Sequence, residues 1–102
     1  MAAIRFEWND AKNLSNQRKH GVSFELASQV FLDPLFVSLK EQIEAGEKRW
    51  QTIGAVDDYL LLMVAHTVVV KTEPGQEVES IRIISARHAT RKERKLYEEE
   101  NG

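Results

Sequence analysis

From Leu35 to Ala86 the chain reads as strand after strand, and this run constrains the fold more than any other feature. Leu35–Leu39, Arg49–Ala55, Leu60–Val70 and Val78–Ala86 are dominated by strand-forming residues. Turn residues separate them: a polar stretch around Glu44–Glu47, then Asp57-Asp58, then Pro74-Gly75. Proline presets φ and glycine tolerates φ > 0, so Pro74-Gly75 is the strongest turn signal of the three. Consecutive hairpins make a mainly antiparallel sheet.

Helical signals flank this region. Ala3–Trp8 alternates loosely as a first strand. Asn9 or Asp10 can cap a polar helix through about His20, which Gly21 stops. Ser23 caps a second helix whose Phe24, Ala27, Ser28 and Phe31 fall at i, i+3, i+4, i+7, widened by Leu26 and Val30. Asp33-Pro34 ends it. Thr90 with Glu93 forms a capping box for a last helix ending near Glu100. The expected order is β-α-α-β-β-β-β-α: an α+β fold with two N-terminal helices and one C-terminal helix on the sheet. At 102 residues, one domain over 1–102 with one core is expected.

Charge is what the fold alone does not explain. The chain has net charge −2, yet Arg82, Arg87, Arg91, Lys92, Arg94 and Lys95 cluster near its end with only Glu93 opposing them locally. Phosphate is the obvious partner. In the last helix, Arg94–Glu98 and Lys95–Glu99 are i,i+4 pairs that neutralise part of the cluster, leaving Arg91 and Lys92 as the freer cations. There are no cysteines, which excludes disulfides and thiolate metal sites. No apolar run approaches the roughly 20 residues of a membrane span, and the N-terminus lacks signal-peptide character, so a cytoplasmic protein is expected. Phosphate-cradling Gly-rich loops, HExxH, CxxC and G-x-S-x-G are all absent, and neither cofactor nor metal is expected. Asp57-Asp58 sits on a turn tip and makes a poor magnesium site.

Three constellations carry chemistry. Lys12, Asn16, Lys19 and His20 form one stripe of the first helix. Its plainer reading is a solvated face, and its functional reading is a phosphate- or base-contacting edge. His20 also lies at a helix C-terminus, where the dipole favours a cation. Arg49 and His66 form the second. A two-residue turn or a four-residue loop between their strands gives the same register, with Arg49 directly opposite His66. The plainer reading is a packed, hydrogen-bonded histidine; the functional one is a proton-transfer group beside a phosphate-binding arginine. The third is Arg82, Ser85 and Arg87, where strict alternation puts Arg82 on the face opposite the other two unless a bulge intervenes.

These motifs resemble a known family. FEWNDAKNLSNQRKHGVSFELA at Phe6–Ala27 looks like the amino-terminal signature of the BrnT-like ribonuclease toxins. RWQTIG at Arg49–Gly54, AHT at Ala65–Thr67 and IRIISARHATRKERKLYEE at Ile81–Glu99 follow as its other blocks in order. Asn9 stands where that pattern usually has Asp, and Val68–Ser80 is longer than expected, so the Pro74-Gly75 hairpin is expected to extend. The resemblance implies a toxin of a type II toxin–antitoxin pair with a RelE-like fold, which cuts RNA and arrests growth. It implies a DNA-binding antitoxin similar to BrnA, a heterotetramer built through antitoxin dimerisation, and repression of the shared operon through operator DNA. The antitoxin is expected to cover part of the basic surface.

Metal-free RNA cleavage needs a base for the ribose 2′-OH, cations for the phosphorane-like transition state and an acid for the leaving 5′-oxygen. His66 and His20 are the acid/base candidates. Arg49, Arg82, Arg87 and Lys19 are the electrostatic stabilisers, and Lys12 and Arg91 steer the RNA backbone. The competing classes are a non-catalytic nucleic-acid-binding module and a degenerate toxin-like chain that only binds its partner.

Overall fold

The computed structural model describes residues 3–44, 46–57 and 60–102. Five strands are present among them: β1 (Ala3–Glu7), β2 (Val37–Glu44), β3 (Glu47–Val56), β4 (Leu60–Glu73) and β5 (Gln76–His88). The helices are α1 (Asp10–His20), α2 (Phe24–Ser28, continued by a 3-10 turn over Gln29–Leu32) and α3 (Arg91–Asn101). The element order is the expected one. The strands form one sheet in the order β1-β5-β4-β3-β2. The sheet is mixed: β2–β3, β3–β4 and β4–β5 are antiparallel hairpin pairs, whereas β1 lies parallel to β5, with Phe6 opposite Ile81 and Glu7 opposite Arg82. No hairpin ties β1 to its neighbour, so nothing forces the antiparallel direction on it.

The Pro74-Gly75 hairpin extends, as expected. Its ladder runs to the Glu73–Gln76 pair, and Gly75 takes φ 84, the positive angle a glycine supplies after proline.

Helices cover both faces of the sheet, each over part of its length. On one face, Val22, Phe24, Ala27 and Val30 pack onto Leu62, Val64, Ile83 and Ala86. Val30 presses so closely on β3 that a Cβ at Gly54 would meet its Cγ1 at 2.7 Å. On the other face, Leu96 and Tyr97 of α3 cover Ile53, Leu61 and Met63. The capping box at Thr90 and Glu93 starts α3 as the sequence predicts. At its far end the Tyr97 hydroxyl donates to Asp33 at 2.6 Å, and Asn101 donates to the Leu35 carbonyl at 2.9 Å. Burial raises the Asp33 carboxyl, but hydrogen bonds from Ala55, Tyr97 and Leu35 outweigh it and hold the group below the usual range.

Helix α1 takes over the sheet edge where β1 ends. Its buried Asn16 accepts from the Ala86 N–H at 3.2 Å and donates to the Ala86 and Val22 carbonyls at 2.8 Å each. A side-chain amide thus does for β5 what a neighbouring strand would do. Asn13, also buried, accepts from the Phe24 N–H at 2.8 Å and fixes the start of α2.

Candidate nucleic-acid interface and active site

Two irregularities of the sheet decide which side chains share a face. The first is the connection between β3 and β4. Val56 pairs with Leu60, leaving three residues between them, and Asp57 opens the connection with φ 53. Asp58, the other half of the expected turn, lies outside the described residues. With a three-residue connection, Trp50 pairs with His66 and Arg49 with Thr67. The expected Arg49–His66 pairing is therefore off by one, and a one-residue slip moves side chains to opposite faces.

The second irregularity is a bulge in β5. Ala65 pairs with Ser85 but His66 pairs with Ile83, so Ile84 is the extra residue. Arg82, Ser85 and Arg87 consequently share one face, correcting the alternation that set Arg82 apart.

Together these features create a cross-strand row: Glu7 on β1, Arg82 on β5, Thr67 on β4 and Arg49 on β3. At strand spacings of about 4.8 Å, the backbones carrying Arg49 and Arg82 lie about 10 Å apart, with Thr67 between them. Both guanidinium groups can thus serve one phosphate. Thr67 is buried and Arg82 exposed. Asn9, Lys12, Glu47, Arg49, Thr67 and Arg82 line a recess of about 80 Å³ here. Glu7, Trp8, Asn9 and Arg82 line one of about 290 Å³. A further groove of about 180 Å³ between α1 and β5 is lined by Lys12, Lys19, His20 and Ser85. Lys12 and Ile84 border both this groove and the first recess, so the cationic surface is continuous from Arg49 to His20. Asn16 does not contribute a recognition group, because the main-chain hydrogen bonds described above consume its amide.

His66 points to the other face and is 2 % exposed. Its Nε2 lies 2.6 Å from the Thr52 hydroxyl, which lies 2.7 Å from that of Ser38. The Phe31 ring stands edge-on to the imidazole at 4.9 Å. Burial pushes the His66 pKa down to about 4, against a weaker opposing pull from the Thr67 carbonyl. Arg87 shares the open face but is clamped by Glu93 at 2.8 and 2.9 Å, and that pairing holds the Glu93 carboxyl below its usual range. Arg91 is exposed in the first turn of α3. Of the two expected pairs in α3, Lys95–Glu99 forms at 3.9 Å; Arg94–Glu98 is not among the ion pairs of the described residues.

Sequence reasoning left out Glu7, Trp8, Asn9, Glu47 and Thr67 as members of this site. Thr67 was visible within the AHT block, but only the correct register places it between two arginines. A further recess of about 440 Å³ beside Asp33 and Tyr97 has no Lys, Arg or His among the described residues that line it. Among the described residues no cluster of three or more His, Cys, Asp or Glu is placed to hold a metal. Among the described residues no helix is long and apolar enough to cross a membrane.

The sequence matches the family model described as "ribonuclease toxin, BrnT, of type II toxin–antitoxin system" over residues 8–93. No curated protein sequence matches the chain. The fold is similar to the 1.1 Å crystal structure of the Brucella abortus ribonuclease toxin BrnT. The TM-score is 0.58 at 23% identity, covering 88% of this chain and 100% of that one.

Proposed function

Since the chain belongs to the BrnT family of ribonuclease toxins of type II toxin–antitoxin systems, we propose that it cleaves RNA without a metal at the Arg82–Thr67–Arg49 row. The observation that carries this reading is the row itself: two guanidinium groups flank a hydroxyl on an open sheet face, with Lys12 at the rim. The ribose 2′-OH attacks the adjacent phosphorus and gives up its proton. The 5′-oxygen leaves with a proton, so the products are a 2′,3′-cyclic phosphate and a 5′-hydroxyl. Arg49 and Arg82 stabilise the charge on the phosphorane oxygens. Lys12, Lys19 and Arg91 hold the flanking backbone. His20 is the imidazole on this cationic surface, and Glu7 and Glu47 supply carboxylates at the recess, so proton transfer falls to these three. His66, on the opposite face, and Arg87, clamped by Glu93, serve the scaffold in this reading.

The remaining parts of the proposal follow the family resemblance. They are a RelE-like fold, a cytoplasmic setting, growth arrest on expression, neutralisation by a BrnA-like DNA-binding antitoxin in a heterotetramer, and repression of the operon by that complex. Incubating the purified chain with RNA in EDTA tests the core of it. Cleavage leaving 2′,3′-cyclic phosphate ends, lost in Arg49→Ala and Arg82→Ala and kept in His66→Gln, is the expected result. RNA that is retarded but intact would make the chain a binding module instead, and no interaction at all would leave only the partner-binding role.

A further inference from the structure

The face of the sheet that packs against α2 is covered only in part. The remainder is apolar and open: Ile4, Phe36, Ile43 and Val70 are 51, 44, 59 and 58% exposed. Register places three of them on this face, Ile4 and Val70 through Glu79 of β5 and Ile43 through Lys48 of β3, and Phe36 joins them through its ring contact with Phe31. Between them lies a recess of about 250 Å³ lined by Phe31, Trp50, Val68 and Ile81. Solvated monomers seldom keep so continuous an apolar surface without a partner.

The charge around it is divided. Lys40 of β2 and Lys48 of β3 flank one side, and Glu77 and Glu79 of β5 flank the other, on the same face by register. None of the four is in an ion pair with another described residue. Strands β3 and β5 stand two spacings apart, about 10 Å, which is the width of one helix.

We propose that this trough is the docking site of the antitoxin, which lays an amphipathic helix along β4. Its apolar stripe would meet Val68 and Val70, its acidic flank Lys40 and Lys48, and its basic flank Glu77 and Glu79. The proposal rests on the toxin–antitoxin reading and adds where and how the partner holds on. A second copy of the chain fits less well, because two recesses brought face to face fill neither, whereas a convex helix fills one. The contact lies on the face opposite the Arg82–Thr67–Arg49 row, so this helix anchors the antitoxin, and neutralisation falls to the part of it that reaches round to the cationic face.

The test uses the protein encoded immediately beside the gene for this chain as the probe. Val70→Asp and Ile43→Asp place charges on residues already more than half exposed, and the double variant Lys40→Glu/Glu79→Lys inverts the flanks. Each variant should keep its RNA cleavage and its toxicity, while its Kd for the neighbouring protein rises at least tenfold and growth is no longer rescued. Binding within twofold of wild type in all three variants would overturn the proposal. So would a dimer of the isolated wild-type chain that Val70→Asp converts to monomer, since the surface would then be a self-interface. A wild-type chain that cleaves RNA but is not bound by the neighbouring protein would sink the partner reading, and the docking site with it.

Discussion

Acidification should expose the cost of burying His66. In the unfolded chain this imidazole titrates near 6.5, whereas burial in the fold holds it at about 4. Between those values the unfolded state binds a proton that the folded state refuses, so stability falls as pH falls. A tenfold change in proton affinity corresponds to about 1.4 kcal/mol, which makes the loss about 3 kcal/mol by pH 4. Above about pH 8 the imidazole is neutral in both states and contributes no slope. Asp33 and Glu93 act lower. Their carboxyls are held below the usual range, so their stabilisation is complete above the unfolded values near 4 and disappears only as pH falls through the folded ones. The interval from pH 6.5 to 4.5 therefore belongs mainly to His66.

Urea unfolding of the wild type and of His66→Gln at half-unit steps between pH 7.5 and 4.5 measures this directly. Glutamine retains a hydrogen-bonding group for Thr52 but cannot titrate. Wild type should lose stability with a slope approaching about 1.4 kcal/mol per pH unit, and the variant should be nearly flat. Equal slopes in the two proteins would show that His66 is not the group responsible, as would an imidazole resonance of His66 titrating near 6.5 in the folded state.

Arg49→Ala and Arg82→Ala should each reduce RNA cleavage by about 10²- to 10³-fold in single-turnover assays, and for the exposed Arg82 urea titration should show little change in unfolding free energy. Asn16→Leu should destabilise the fold by about 2–4 kcal/mol, since it strands the main chain of Ala86 and the Val22 carbonyl; chemical denaturation checks this. Gly54→Ala forces a methyl group against Val30 and should cost about 1–3 kcal/mol, read as a lowered Tm.

Element order, helix caps and turn positions were legible in the sequence because each is encoded locally. Gly21 takes φ 70 at the end of α1, Ser23 and Thr90 cap the helices they precede, and Pro74-Gly75 makes the turn. Register was not legible, because it depends on counts that no single residue announces. A three-residue connection after Val56, where two or four residues would have kept Arg49 opposite His66, reverses their relation. Ile84 gives no sign of being a bulge in a stretch reading IRIISAR. The parallel edge strand was equally hidden, since β1 reaches its partner without a hairpin.

The bulge and the odd-numbered connection act together. Without the Ile84 bulge, Arg82 would lie on the face opposite Ser85 and Arg87, and with the expected β3–β4 register Arg49 would lie over His66. The cationic row exists only because one strand gains a residue and one connection has an odd count. A bulge leaves ladder groups locally unpaired, and here Asn16 supplies hydrogen bonds to Ala86, two residues beyond the bulge. Stability and chemistry are thus joined at one place: the amide that completes the sheet edge sits on the same helix as Lys12 and Lys19, which border the groove. Substitutions at Asn16 that still fold should therefore displace α1 and impair RNA binding as well as stability, whereas Gly54 substitutions, on the opposite face, should lower stability alone.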